Sequence, residues 1–137
     1  MRKEFFCYTV QFNNLLKATN QTVTLPIDKD SDFEWIKSTR SMGNTGNLSL
    51  TDGVMGQQFP NMRVWIYDTG RGAWLTDKPV SVNNAFGSAQ YPAILAEPLL
   101  IRGGSGLNVQ VFNDYTNLDI VFTQLTLVGR KVKGGEI

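Results

Sequence analysis

Apolar and polar residues alternate along most of this chain. Phe6, Tyr8, Val10 and Phe12 interleave with Cys7, Thr9, Gln11 and Asn13, which is the period-two pattern of a strand with one face buried. Val23, Leu25 and Ile27 repeat it, and Pro26 among them removes a ladder donor, which suits an edge or a strand end. A third strand is predicted over 32–37, with Phe33 and Trp35 on one face. A fourth runs from Arg63 to Tyr67 and is apolar on both faces. Short strands at 73–76 and 79–82 are broken by Asp77-Lys78-Pro79. Ile94-Leu95 and Leu99-Leu100-Ile101 flank Pro98, and Leu107, Val109 and Val111 alternate with Asn108 and Gln110. The last run covers 118–132, and its phase changes between Phe122 and Leu125, which predicts a bulge or sharp bend there.

No segment carries a helical stripe, and Gly87, Pro92 and Pro98 oppose a long helix over 85–97. Glycines cluster between the runs, as in Gly43-Asn44-Thr45-Gly46, Gly70-Arg71-Gly72 and Gly103-Gly104-Ser105-Gly106. Seven to nine short strands separated by turns predict an all-β, single-domain antiparallel sandwich or jelly roll with long loops. Residues 1–137 form one domain in this reading, with 1–6 as an N-terminal arm and 132–137 as a C-terminal tail. The longest irregular region is 41–61. It holds Leu48, Leu50, Val54, Met55 and Phe59, which predicts a short strand or a partner contact there. Residues 83–98 form a second long, apolar, Pro-bounded stretch. They either cover the end of their own sandwich or meet a partner.

Composition narrows the chemistry. The chain has 137 residues, 42% hydrophobic and 18% charged, with a net charge of +1. That is fewer charges than the roughly 25% of an average globular chain, and it hints at a surface covered by a partner. No Lys/Arg run points to nucleic acid or an anionic membrane. There is no histidine, which removes the usual general base and the commonest metal ligand. Cys7 is the single cysteine, so no internal disulfide or Cys-based zinc site can form, and a packed small residue is expected. No stretch approaches the roughly 18 apolar residues of a membrane span, and the N-terminus lacks the sustained apolar core of a signal peptide.

One motif suggests catalysis. The apolar run Val64–Tyr67 ends in Asp68-Thr69-Gly70, as aspartic proteases of the retroviral type present their carboxylate. The later Leu127-Val128-Gly129-Arg130 resembles their second signature. Arg71 stands where that family has a small residue, Gly72 follows, and no flap hairpin is evident between the signatures. Asp-x-Gly-x-Gly between two strands is also ordinary turn chemistry, and the hairpin reading is preferred. Asp28, Asp30 and Asp32 begin like a calcium loop, but Phe33 and Thr39 occupy the positions that require Gly and Glu. Arg102-Gly103-Gly104-Ser105-Gly106 lacks the Lys-Ser/Thr of a phosphate loop and reads as a flexible loop. Trp35, Trp65 and Trp74 are either core residues or the lining of a sugar-binding groove.

The stretch YDTGRGAWLTDKPVSVNNAFGSAQYPAILAEP resembles a group of small structural proteins of tailed bacteriophages. The likeness continues through a Leu-x-Val-x-Val strand to the closing LTLVGRK, and upstream it includes DSDFEWIK. It covers about residues 5 to 131. It implies a non-enzymatic virion component without cofactor or metal, made in the host cytoplasm and located in the virion. The favoured role is a capsid decoration or cement protein that binds the outer shell and bridges capsomers. A head spike base or a tail or baseplate component, including a carbohydrate-binding one, is the neighbouring alternative, and the protease is the remote one. The implied partners are the major capsid protein or other virion proteins, and a homo-oligomer, with a trimer expected. The partner-contact candidates are Phe5, Phe6, Leu48, Leu50, Met55, Phe59, Phe86, Tyr91 and Ile137.

Overall fold

A computed structural model of the chain describes residues 2–43, 61–87, 92–115 and 120–133. Nine strands are present among them: β1 (Arg2–Leu15), β2 (Asn20–Pro26), β3 (Asp32–Gly43), β4 (Met62–Asp68), β5 (Ala73–Trp74), β6 (Val80–Ser81), β7 (Ala93–Ile101), β8 (Gly106–Asn113) and β9 (Ile120–Lys133). A single helical turn, α1 (Val82–Ala85), sits between β6 and β7. No helix among the described residues is long and apolar enough to cross a membrane.

The strands form two antiparallel sheets. Sheet A has the order β1-β9-β3-β7, and sheet B the order β2-β8-β4-β5, with β6 also on β4. With short β6 set aside, successive strands cross between layers except at the β4–β5 hairpin, in the order of a jelly roll, the doubly wound Greek key. The predicted alternation places the core. Tyr8, Val10, Phe12, Phe33, Trp35, Ile101, Leu125 and Leu127 point inward from sheet A, and Leu25, Met62, Val64, Ile66, Leu107, Val109 and Val111 from sheet B. Pro26 ends the edge strand β2, as its missing N–H requires.

Several expectations are corrected. Residues 2–6 are no arm: Arg2 to Phe6 pair with Lys133 to Gly129 as the start of β1. Val132 and Lys133 belong to β9 for the same reason. The register of β9 runs unbroken through Phe122–Leu125, where Thr123 simply takes an inward position and is buried. The bulge lies elsewhere, between Trp35 and Lys37 of β3. Opposite it, a Cβ on Gly129 would stand 1.9 Å from the Glu34 carbonyl oxygen, so the strand can close on the bulge only with glycine there. That gives the glycine of Leu127-Val128-Gly129-Arg130 a structural role in the sheet. On its other side β7 departs further. Its pairing passes from Leu99 to Ile94 while β3 moves only from Trp35 to Lys37, so Leu95–Pro98 stand opposite the single residue Ile36.

Candidate docking surfaces and the Asp68 turn

Asp68 closes β4 and is 1% exposed. Its Oδ1 accepts the Gly70 N–H at 3.0 Å and the Arg71 N–H at 3.4 Å. Its carbonyl accepts the Gly72 N–H at 2.8 Å, and Gly72 has φ +69°, where a side chain would be strained. Oδ2 faces the Arg71 Nε at 3.4 Å. The Asp-Thr-Gly-Arg-Gly segment is therefore a carboxylate-anchored turn, of the kind Asp makes with the backbone following it. Thr69 bonds Gly106 through both backbone and hydroxyl, which fastens the turn to the start of β8.

The other acidic candidates disperse. Asp28 Oδ2 pairs with Lys131 Nζ at 2.6 Å, Asp30 Oδ1 accepts the Ser31 hydroxyl, and Asp32 Oδ1 accepts the Gly103 N–H at 2.8 Å. The hydrogen bond from Lys131 holds the Asp28 carboxyl below its ordinary pKa and raises that of Lys131. No cluster of three metal-binding side chains occurs among the described residues. The 102–106 loop is pinned rather than loose, with the Gly104 N–H on the carbonyls of Ile27 and Asp28.

Among the described residues two surfaces remain open. The first is the outer face of sheet A. Register places Phe5, Arg130, Glu34 and Leu100 in one row across its four strands, and Val128, Lys37 and Ile94 in the next. Phe5 is 75%, Ile94 72% and Leu100 49% exposed. A shallow hollow of about 380 Å³ lies among Phe5, Ile36, Lys37, Val128 and Arg130. Glu34 is held by Arg130 at 2.8 Å and Lys3 at 3.5 Å. This end of the face is apolar with a mixed-charge centre. The other end is polar, with Thr9 and Thr126 hydroxyls in contact and Gln124 donating to Gln11.

The second is a cleft of about 590 Å³ where the β7 edge of sheet A stands off the β5–β6 edge of sheet B. Trp35, Val64 and Ile66 floor it, and Trp74, Leu75 and Leu95 are among its walls. The β7 bulge opposite Ile36 borders this cleft.

Of the predicted contact residues, Phe5 lies on the open face. Phe6 points inward, partly buried, with Lys131 Nζ 4.1 Å from its ring centroid. Phe86 is fully buried, with its ring 6.2 Å from that of Trp35. It plugs the sandwich and offers no contact surface, because the α1 turn folds it inward. Leu48, Leu50, Met55, Phe59, Tyr91 and Ile137 lie outside the described residues. Sequence reasoning missed Ile94 and Leu100, whose exposure follows from the β7 register. Of the three tryptophans, Trp35 is core, while Trp65 and Trp74 stack on the outside of sheet B with ring centroids 3.7 Å apart. Cys7 is half-buried on the outer face of sheet A, beside Val128.

No protein-family model and no curated protein sequence matches the chain. Among solved structures, a chain in the structure of infectious bursal disease virus Gx strain aligns with a TM-score of 0.44 and 13% sequence identity, over 98% of this chain and 33% of that one. The present chain thus spans about a third of the length of that neighbour.

Proposed function

We propose that this chain is a non-enzymatic virion structural protein, a capsid decoration or cement protein of a tailed bacteriophage. It binds the outer shell through the outer face of sheet A and bridges neighbouring capsomers. The observation that carries this reading is the gathering of Phe5, Ile94 and Leu100 on one sheet face. Phe5 stands at the β1 edge and Ile94 and Leu100 at the β7 edge, with Val128 and the Arg130–Glu34 pair between them. Apolar positions thus frame a mixed-charge centre across the face, a make-up that suits a partly polar protein contact. The sequence resemblance to phage virion proteins supports the same reading. So does the engagement of Asp68 in its turn, which gives the catalytic-looking motif a structural role. A two-sheet sandwich suits the task, since a protein that binds only the assembled shell stabilises it by mass action.

The test is co-sedimentation with capsids that lack the protein. The wild-type chain should bind saturably, and Phe5→Ser combined with Ile94→Ser should lose at least ~10-fold in affinity, the scale of one interface hot spot. Binding that ignores both substitutions would remove sheet A from the interface. Absence of wild-type binding to heads and to tails would end the virion reading.

A further inference from the structure

We infer that the outer face of sheet B is a carbohydrate-binding platform for a neutral oligosaccharide. This surface lies on the layer opposite the proposed shell-docking face, and the inference does not depend on that docking.

The platform is built by register. β4 alternates buried Val64 and Ile66 with outward Trp65 and Tyr67. Trp74 of β5 pairs with Tyr67, Tyr67 with Asn108 of β8, and Asn108 with Thr24 of β2. One row therefore reads Trp74, Tyr67, Asn108, Thr24, and Trp65 and Gln110 stand side by side in the adjoining one. Four strands at the usual spacing make this row about 14 Å wide, long enough for a short oligosaccharide.

The aromatic part is held rigid. Trp74 stacks on Trp65 at 3.7 Å with an interplanar angle of 11°, and Tyr67 meets its edge at 5.1 Å. The Trp65 indole N–H is tied to the Thr76 carbonyl at 3.1 Å. Despite these contacts Trp74 remains 41% exposed. A flat ring fixed in this way binds without losing side-chain freedom. Its electron-rich face suits the C–H groups on one side of a pyranose ring, which carry partial positive charge.

The polar part supplies what sugar hydroxyls need. Asn108 uses Oδ1 to accept from Thr24, and Gln110 uses Nε2 to donate to Asn20. The Asn108 Nδ2, the Gln110 Oε1, the Tyr67 hydroxyl and the Trp74 indole N–H have no hydrogen-bond partner among the described residues. Donors and acceptors thus lie beside a ring face, all uncharged. Two cations stand near the platform and both are engaged: Arg63 makes a two-pronged bond to Asp114 at 2.7 and 3.0 Å, and Arg71, which lines the cleft beside Trp74, turns to Asp68 Oδ2 and the Leu100 carbonyl, each at 3.4 Å. That argues for a neutral glycan over a sialylated or uronic-acid one.

The test uses a printed array of neutral and acidic oligosaccharides, including bacterial surface polysaccharide fragments. The best hit is then titrated by calorimetry and by quenching of tryptophan fluorescence. The purified chain should bind at least one neutral glycan. Trp74→Ala should weaken it at least tenfold, Trp74→Phe should retain most of it, and Asn108→Ala should cost several-fold. Near-UV circular dichroism checks that each variant is folded, and Phe5→Ser should leave glycan binding unchanged. The proposal is overturned if no neutral glycan binds, if only acidic ones do, or if Trp74→Ala has no effect. It is equally overturned if Trp74→Ala abolishes capsid binding while the array stays blank, since the platform is then a protein contact.

Discussion

Replacing Asp68 separates a turn anchor from a catalyst. In the Ala variant the Gly70 N–H loses a charge-assisted acceptor at 3.0 Å and the Arg71 N–H a longer one at 3.4 Å. A hydrogen bond to a charged group contributes about 1.5–3 kcal/mol, and the second is too long to count fully, so Asp68→Ala should cost about 2–3 kcal/mol. At this chain length that corresponds to a fall in melting temperature of about 8–12 °C. Asp68→Asn keeps an oxygen where Oδ1 sits and loses mainly the attraction of Oδ2 for Arg71. That cation is half exposed and 3.4 Å away, so the change should cost only about 1 kcal/mol. Urea unfolding followed by the fluorescence of the Trp65–Trp74 stack reads both variants. The account requires the order wild type, Asn, Ala, with shell binding by the Asn variant within about twofold of wild type. An Asn variant as damaged as the Ala variant would place the role of Asp68 in its charge rather than its turn. Peptide cleavage that disappears with Asp68→Asn at unchanged stability would restore the protease.

Other outcomes follow from the same geometry. Gly129→Ala should destabilise by at least about 2 kcal/mol in urea melts, because its Cβ meets the backbone of Glu34 rather than a side chain that could yield. Phe86→Ala should cost about 3–5 kcal/mol as a fully buried aromatic, whereas Phe5→Ser should change stability by less than about 0.5 kcal/mol. The lowered pKa of Asp28 means that this group adds stability above its unfolded pKa of about 3.9 and loses it as pH falls through the lower folded value. Lys131→Met should therefore flatten the acid limb of a plot of urea midpoint against pH. The raised pKa of Lys131 acts in the opposite sense, adding stability below its unfolded pKa and losing it as pH rises through the folded one.

Much of the fold was legible because burial on one face leaves a period of two. Phe33 and Trp35, or Leu107, Val109 and Val111, are inward in the structure as they alternate in the sequence. The Asp68 turn was legible for a local reason, since Asp and Gly at those spacings suit few other conformations. What depended on distant partners was not. The start of β1 resembles a charged arm until Glu4 is seen opposite Lys131, with Glu4 also bridged to Lys133. Phe86 sits in a stretch with no period, and its burial is set by packing on Trp35, far away in sequence. The β3 bulge had one visible trace, a glycine inside the strand pattern at 129, which is a recognised mark of close backbone approach. The aromatic row on the outside of sheet B was half visible. A strand apolar on both faces announced Trp65 and Tyr67, but only register brings Asn108 and Trp74 beside them.

Electron cryomicroscopy of capsids that lack the protein, imaged after its addition, tests the central claim most directly. The account predicts density for the sandwich at repeated positions on the outer shell, with the β1-β9-β3-β7 sheet toward the capsid and the Trp65–Trp74 stack away from it. Bare shells, or a sandwich seated on its other sheet, would contradict it.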